Sequence, residues 1–159
     1  MTYRIGWLAM SITLVAAAPG FGAGRSHRMV IVPESDRFTP FSMTIRSGDS
    51  VEWVNEDTDD HTVVSDDAFN TAGNQGVDQL LLGTEHNAGN PGTLTLRFTH
   101  PGTFVFYCRF HAHLDESSQP VAPGPDGGIV DTTGNFGTPM MGVITVQTGG
   151  PVAMRRALP

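Results

Sequence analysis

From Arg28 to Gln147 no apolar pattern with the helical period of 3.6 residues persists long enough for a long helix, and turn-forming residues interrupt the chain at short intervals. Segments of strand length lie between these interruptions: Arg28–Val32, Met43–Arg46, Ser50–Val54, His61–Ser65, Thr93–Thr99, Thr103–Cys108 and Gly142–Gln147. Alternation is sharpest in two of them. Leu94, Leu96 and Phe98 fall on one face of their segment, and Phe104 and Phe106 share a face with Cys108. Ser47-Gly48-Asp49 and His100-Pro101-Gly102 are the clearest turns. The pattern predicts an all-β fold, an antiparallel β-sandwich. Two stretches depart from it and read as long loop insertions: Ala68–Pro91, rich in Gly and Asn, and Leu114–Pro139, rich in Pro, Gly, Asp and Ser. Within the first, Val77–Leu82 reads as a short helix.

The 159 residues, 39% of them hydrophobic, suffice for one core and one domain. The formal charge is −7, and all nine basic residues are Arg, which argues against a nucleic-acid partner. The acidic clusters Glu56–Asp60 and Asp66-Asp67 read as solvated faces. Residues 1–24 have the form of an export signal: Arg4, an apolar run from Ile5 to Ala18, then small residues through Gly24. That run is shorter than the roughly 20 residues a membrane span needs. The expected organisation is therefore a signal peptide at 1–24, a domain at 27–148 and a frayed tail at 149–159, with no membrane span after cleavage. The expected location is periplasmic or secreted.

Export leads to an oxidising compartment, yet the chain has one cysteine, Cys108, so no internal disulfide forms. A lone thiol there is a buried bystander, an intermolecular link or a thiolate held by a metal, and its neighbours decide which. Val51-Glu52-Trp53-Val54-Asn55-Glu56-Asp57 followed by His61-Thr62-Val63-Val64 puts a histidine just after a strand and a polar turn. Phe104-Val105-Phe106-Tyr107-Cys108-Arg109-Phe110-His111 puts the thiol at a strand end with an imidazole three residues on. Pro139-Met140-Met141-Gly142 brings thioether sulfur directly before a closing strand. Two imidazoles, a thiolate and a weak axial donor form the donor set that suits both oxidation states of copper.

In this order the motifs resemble the cupredoxins, the plastocyanin- and azurin-like mononuclear type 1 copper proteins, and the resemblance runs from about Arg28 to Gln147. Pro101-Gly102-Thr103-Phe104 ahead of Tyr107-Cys108 adds to it. The resemblance implies a cupredoxin-like Greek-key sandwich holding one copper ion that cycles between Cu(I) and Cu(II). His61 would stand as the first histidine ligand, Cys108 as the thiolate and Met140 as the axial methionine of a Met-x-Gly motif. The implied function is electron transfer with redox partner proteins, with no catalytic residues and no enzymatic role.

Two positions depart from the family pattern. Thirty-one residues lie between Cys108 and Met140, whereas the family spacing is a few residues, so Met141, Gln119, a carboxylate such as Glu116, or water are alternatives for the axial position. Cys-x2-His gives His111 as the second histidine and Cys-x4-His gives His113; His111 is preferred because Cys-x2-His accompanies Met-x-Gly in the members it resembles. Two other functions stay open: an atypical, red-copper-like open site with catalytic activity, and copper delivery or storage. His27, His86 and His100 are assigned structural or solvent roles. No nucleophilic triad, paired carboxylate motif or phosphate loop is present to support a hydrolase or phosphotransferase.

Overall fold

A computed structural model describes residues 26–122 and 138–149. The export segment 1–24, most of the second loop insertion and nearly all of the tail lie outside the described residues.

Among the described residues the alternation in sequence becomes ten strands. They are β1 (His27–Val32), β2 (Ser42–Arg46), β3 (Ser50–Asn55), β4 (His61–Ser65), β5 (Val77–Leu81), β6 (Gly92–Arg97), β7 (Gly102–Tyr107), β8 (His113–Leu114), β9 (Pro120–Val121) and β10 (Met141–Gln147). One sheet has the order β1-β3-β6 and the other β2-β10-β7-β4-β5, and β8 and β9 form a separate small hairpin. The result is an all-β sandwich. Its sheets are mixed rather than wholly antiparallel: β1 runs parallel to β3 and β2 parallel to β10, while the other pairings are antiparallel.

The inward positions of both sheets interdigitate, as in other two-layer sandwiches. Val30 and Val32 of β1, Val51 and Trp53 of β3, Phe104 and Phe106 of β7, and Ile144 and Val146 of β10 are all buried in one cluster with Phe38 and Phe98. Aromatic edges fix the packing: Phe106 lies edge-on to Trp53 at 5.2 Å and to Phe38 at 4.8 Å, and Phe98 to Phe104 at 5.0 Å. Such pairs contribute about 0.5–1.5 kcal/mol each beyond the area they bury.

The segment Val77–Leu82, expected as a helix, is instead strand β5 at the sheet edge, pairing antiparallel with β4 from His61↔Leu81 to Ser65↔Val77. Apolar residues at 77, 80 and 81 imitate a helical face, but a helix there would leave the outer edge of β4 without hydrogen-bond partners. The pairing leaves Leu80 55% exposed and buries Leu81. The expected loop 68–91 is thus divided by a strand. The described start of the second insertion also has structure, since His113 pairs with Val121 and Leu114 with Pro120.

Gly142 is required by contact. A Cβ at this position would collide with Cζ of the Phe106 ring, which Trp53 and Phe38 hold in place. Gly142→Ala is expected to destabilise the protein by about 1–3 kcal/mol, the usual cost of overpacking. Urea unfolding monitored by fluorescence measures this, and an unchanged midpoint would contradict the packing described.

Candidate metal centre

The order of the larger sheet decides which side chains meet. β7 lies between β10 and β4, so the residue just after β7 has the residue just before β10 on one side and the first residue of β4 on the other. Those residues are Cys108, Met140 and His61. The ladder between β7 and β4 is short, with Val64↔Tyr107 as its register pair, and beyond it side chains replace carbonyls as acceptors. The Thr62 N–H donates to Cys108 Sγ at 3.3 Å, and the Arg109 N–H donates to Thr62 Oγ1 at 2.9 Å. On the other side the Cys108 N–H donates to the Met140 carbonyl at 2.9 Å, and the Met140 N–H to the His111 carbonyl at 3.2 Å. The turn closes on itself, with the His111 N–H donating to the Cys108 carbonyl at 3.1 Å.

These bonds gather three donor groups. One ligand atom each from His61, Cys108 and His111 lies within 4.8 Å of the others. His61 Nδ1 is 3.7 Å from Cys108 Sγ, and the two imidazole centroids are 5.2 Å apart. His61 and Cys108 are fully buried, whereas the His111 side chain is 23% exposed. His111 Nδ1 is buried without a hydrogen-bond partner, a costly arrangement unless a ligand takes the lone pair. Two imidazole nitrogens and a thiol with one ring nitrogen unpartnered make a donor set that fits a copper ion.

The electrostatics favour the thiolate. Burial pushes the Cys108 thiol up, but the His111 side chain, the Thr62 and Phe110 backbone N–H groups and the Thr62 hydroxyl outweigh it, and the thiol is held below its ordinary value. His111 is raised, chiefly by its interaction with Cys108, with burial opposing. The far side of the histidines is acidic. Asp57 Oδ2 lies 3.3 Å from His61 Nε2, and Asp36 Oδ1 lies 3.7 Å from Nε2 of both His61 and His111. The acidic run at 56–60 is therefore more than a solvated face: Asp57 is buried, as is Asp67 in the second cluster.

The remaining candidates separate clearly. Met140 is fully buried in the main core cluster with Cys108, whereas Met141 packs on the other side with Val64, Tyr107 and Ala112. His113 is exposed on β8 and is not in the three-residue cluster. Glu116 and Gln119 are exposed in the β8–β9 turn. His27 bonds Glu52 at 2.9 Å, His86 faces Asp60 at 3.0 Å and His100 bonds its neighbour Thr99 at 3.1 Å. Sequence reasoning missed Asp36, Asp57 and Thr62. Only Asp57 carried a usable signal, its place four residues before His61 in a tight polar turn.

A family model described as copper binding proteins, plastocyanin/azurin family, matches residues 29–115. The chain is 36% identical to a plastocyanin of Nostoc punctiforme over 77 residues, 46% of this chain and 55% of that protein. It is 36% identical to a chloroplastic plastocyanin of Oryza sativa subsp. indica over 76 residues, 47% of each. The chain thus spans about half the length of these two relatives. A plastocyanin of Ulva prolifera is 32% identical over 76 residues, 47% of this chain and 74% of that one. Among solved structures, amicyanin from Paracoccus versutus aligns with a TM-score of 0.45 at 16% identity, covering 79% of this chain and 85% of that one. A purple cupredoxin from Nitrosopumilus maritimus aligns with a TM-score of 0.45 at 16% identity, covering 75% and 98%. Among the described residues no helix is long and apolar enough to cross a membrane.

The depressed thiol gives a direct test on metal-free protein. A group whose folded value lies below its ordinary one ionises at lower pH, so thiolate absorbance in the far ultraviolet should rise with a midpoint under the ordinary 9.0. His111→Ala removes the largest influence that lowers the thiol and leaves burial in place, so its midpoint should move up. A midpoint at or above 9.0 in the unmutated protein, or no upward move in the variant, would refute this account of the thiol.

Proposed function

This chain belongs to the plastocyanin/azurin family of copper-binding proteins, and from that premise we propose that it is a one-electron carrier with a single type 1 copper site. In this reading His61 and His111 would hold the ion through Nδ1, Cys108 through Sγ and Met140, more weakly, through its thioether sulfur. The observation that carries it is the approach of His61, Cys108 and His111 to within 4.8 Å of one another beside an unpartnered buried Nδ1. Bound copper supplies a Cu(I)/Cu(II) couple that accepts and releases one electron without transforming a substrate.

The chain's own residues prepare that role. The Thr62 N–H holds the sulfur in one position, and the bonds tying Cys108, His111 and Met140 keep the donor turn from rearranging. A site that moves little between oxidation states has little to reorganise on transfer. Burial of His61 and Cys108 excludes water, while the partial exposure of His111 leaves one edge of the site at the surface, where a redox partner protein can approach. In the same proposal residues 1–24 are removed on export, the domain at 27–148 works in the periplasm or outside the cell, and 149–159 is a tail with no assigned role.

The test is the absorption and EPR spectrum of the copper-loaded protein. An intense thiolate-to-copper band with a type 1 EPR signal is expected, and Cys108→Ser should abolish it, since no second thiol exists to replace it. His111→Ala should lose the native spectrum, because it opens a position to water or an added ligand. His113→Ala should keep it. Survival of the band in Cys108→Ser would sink the ligand assignment, and collapse in His113→Ala alone would transfer the second imidazole to His113.

A further inference from the structure

Behind the donor turn, on the side of the imidazoles away from the sulfur, lies a short loop between β1 and β2. Its two ends are pinned. Ile31 and Thr39 exchange backbone hydrogen bonds of 2.8 Å in each direction, and Phe38 is buried against the Phe106 ring at 4.8 Å. Between them the Ser35 N–H donates to the Pro33 carbonyl at 2.6 Å, and Asp36 adopts a left-handed conformation with φ of 51°. A non-glycine residue at positive φ is uncommon, Asp and Asn tolerate it better than most, and it persists where surrounding structure imposes it. Here it accompanies a carboxylate aimed at two rings at once.

We propose that Asp36 is a positioning residue shared by both imidazoles of the metal centre, its Oδ1 lying 3.7 Å from Nε2 of His61 and 3.7 Å from Nε2 of His111. This rests on the copper reading above, in which both rings bind through Nδ1 and carry the proton on Nε2. Both Nε2 atoms then face one carboxylate oxygen at ion-pair distance, just beyond direct hydrogen-bond range. Asp57 also reaches His61, but among the carboxylates of the described residues Asp36 is the one that lies within ion-pair distance of both rings. A carboxylate on the outer nitrogen fixes ring orientation and makes the imidazole a stronger donor. Its negative charge also favours the more positive Cu(II) state over Cu(I), and the Asp36 side chain, 37% exposed, feels only partial screening by solvent. Asp36 therefore holds both rings and lowers the reduction potential of the couple.

Two substitutions separate charge from orientation without disturbing the loop. Asp36→Asn keeps the shape, an oxygen acceptor and tolerance of positive φ but removes the charge, and Asp36→Gly accepts the same backbone while deleting the side chain. Outer partners of metal ligands typically change affinity by about 10–100-fold. Both variants should weaken Cu(II) relative to Cu(I) by about tenfold, which raises the potential of a one-electron couple by about 59 mV. Asp36→Gly should in addition alter the EPR spectrum and weaken Zn(II) binding by about tenfold in a chelator competition, whereas Asp36→Asn should keep the spectrum close to that of the unmutated protein. Potential and Zn(II) affinity within twofold-equivalent limits of the unmutated protein in both variants would overturn the role of Asp36. An unmutated protein without a thiolate band would overturn the copper reading itself, so the two failures are distinguishable.

Discussion

One sulfur atom organises this molecule's functional end. Cys108 Sγ takes the Thr62 N–H at the point where the ladder between β7 and β4 stops, and it replaces the backbone acceptor that the next rung would have provided. Cys108 stands 47 positions after His61, and its N–H is bonded to the Met140 carbonyl on the other side. Only a sheet in which β7 lies between β4 and β10 brings them together. The aromatic packing of Phe106 against Trp53 and Phe38 keeps β7 in that place, so the core and the donor set depend on the same strand.

Polar burial around the site is uneven, and the unevenness has a direction. Toward the core the thiol is satisfied by a backbone N–H, and outward His61 Nε2 is satisfied by Asp57. The inner nitrogen of His111 has no partner. An unsatisfied buried acceptor costs about 1–3 kcal/mol. A cation that binds the folded chain relieves that cost, so metal binding and folding stability are thermodynamically linked.

Most of the sandwich was legible because strands such as β6 and β10 alternate in burial with a period of two, and the turn residues that bound the strands, such as Gly48 and Gly102, do adopt positive φ. β5 was not legible, since Val77, Leu80 and Leu81 are spaced as a helix spaces its apolar face, and only the neighbouring edge of β4 decides otherwise. The parallel pairings of β1 and β2 were also hidden, because strand direction within a sheet is a property of connections rather than of side-chain pattern. At the site, Cys108 and His111 share one tight turn and could be read together, and His61 could be read from its place after the polar turn that follows Trp53. Asp36 could not. Its relevance comes from a left-handed turn in a loop that nothing in the local pattern ties to residues 61 and 111.

The bonds from Cys108 to Met140 and from Met140 to His111 form a clasp that closes the donor turn at its base. The clasp fixes the two positions, His111 and Met140, between which the long insertion of the sequence runs. A change in the length of that insertion costs little, because loop closure rises slowly with each added residue and the clasp already holds both ends. A single residue inserted between Cys108 and His111 would shift the imidazole off the sulfur. The length of the insertion is thus decoupled from the donor set, whereas the spacing of Cys108 and His111 is not.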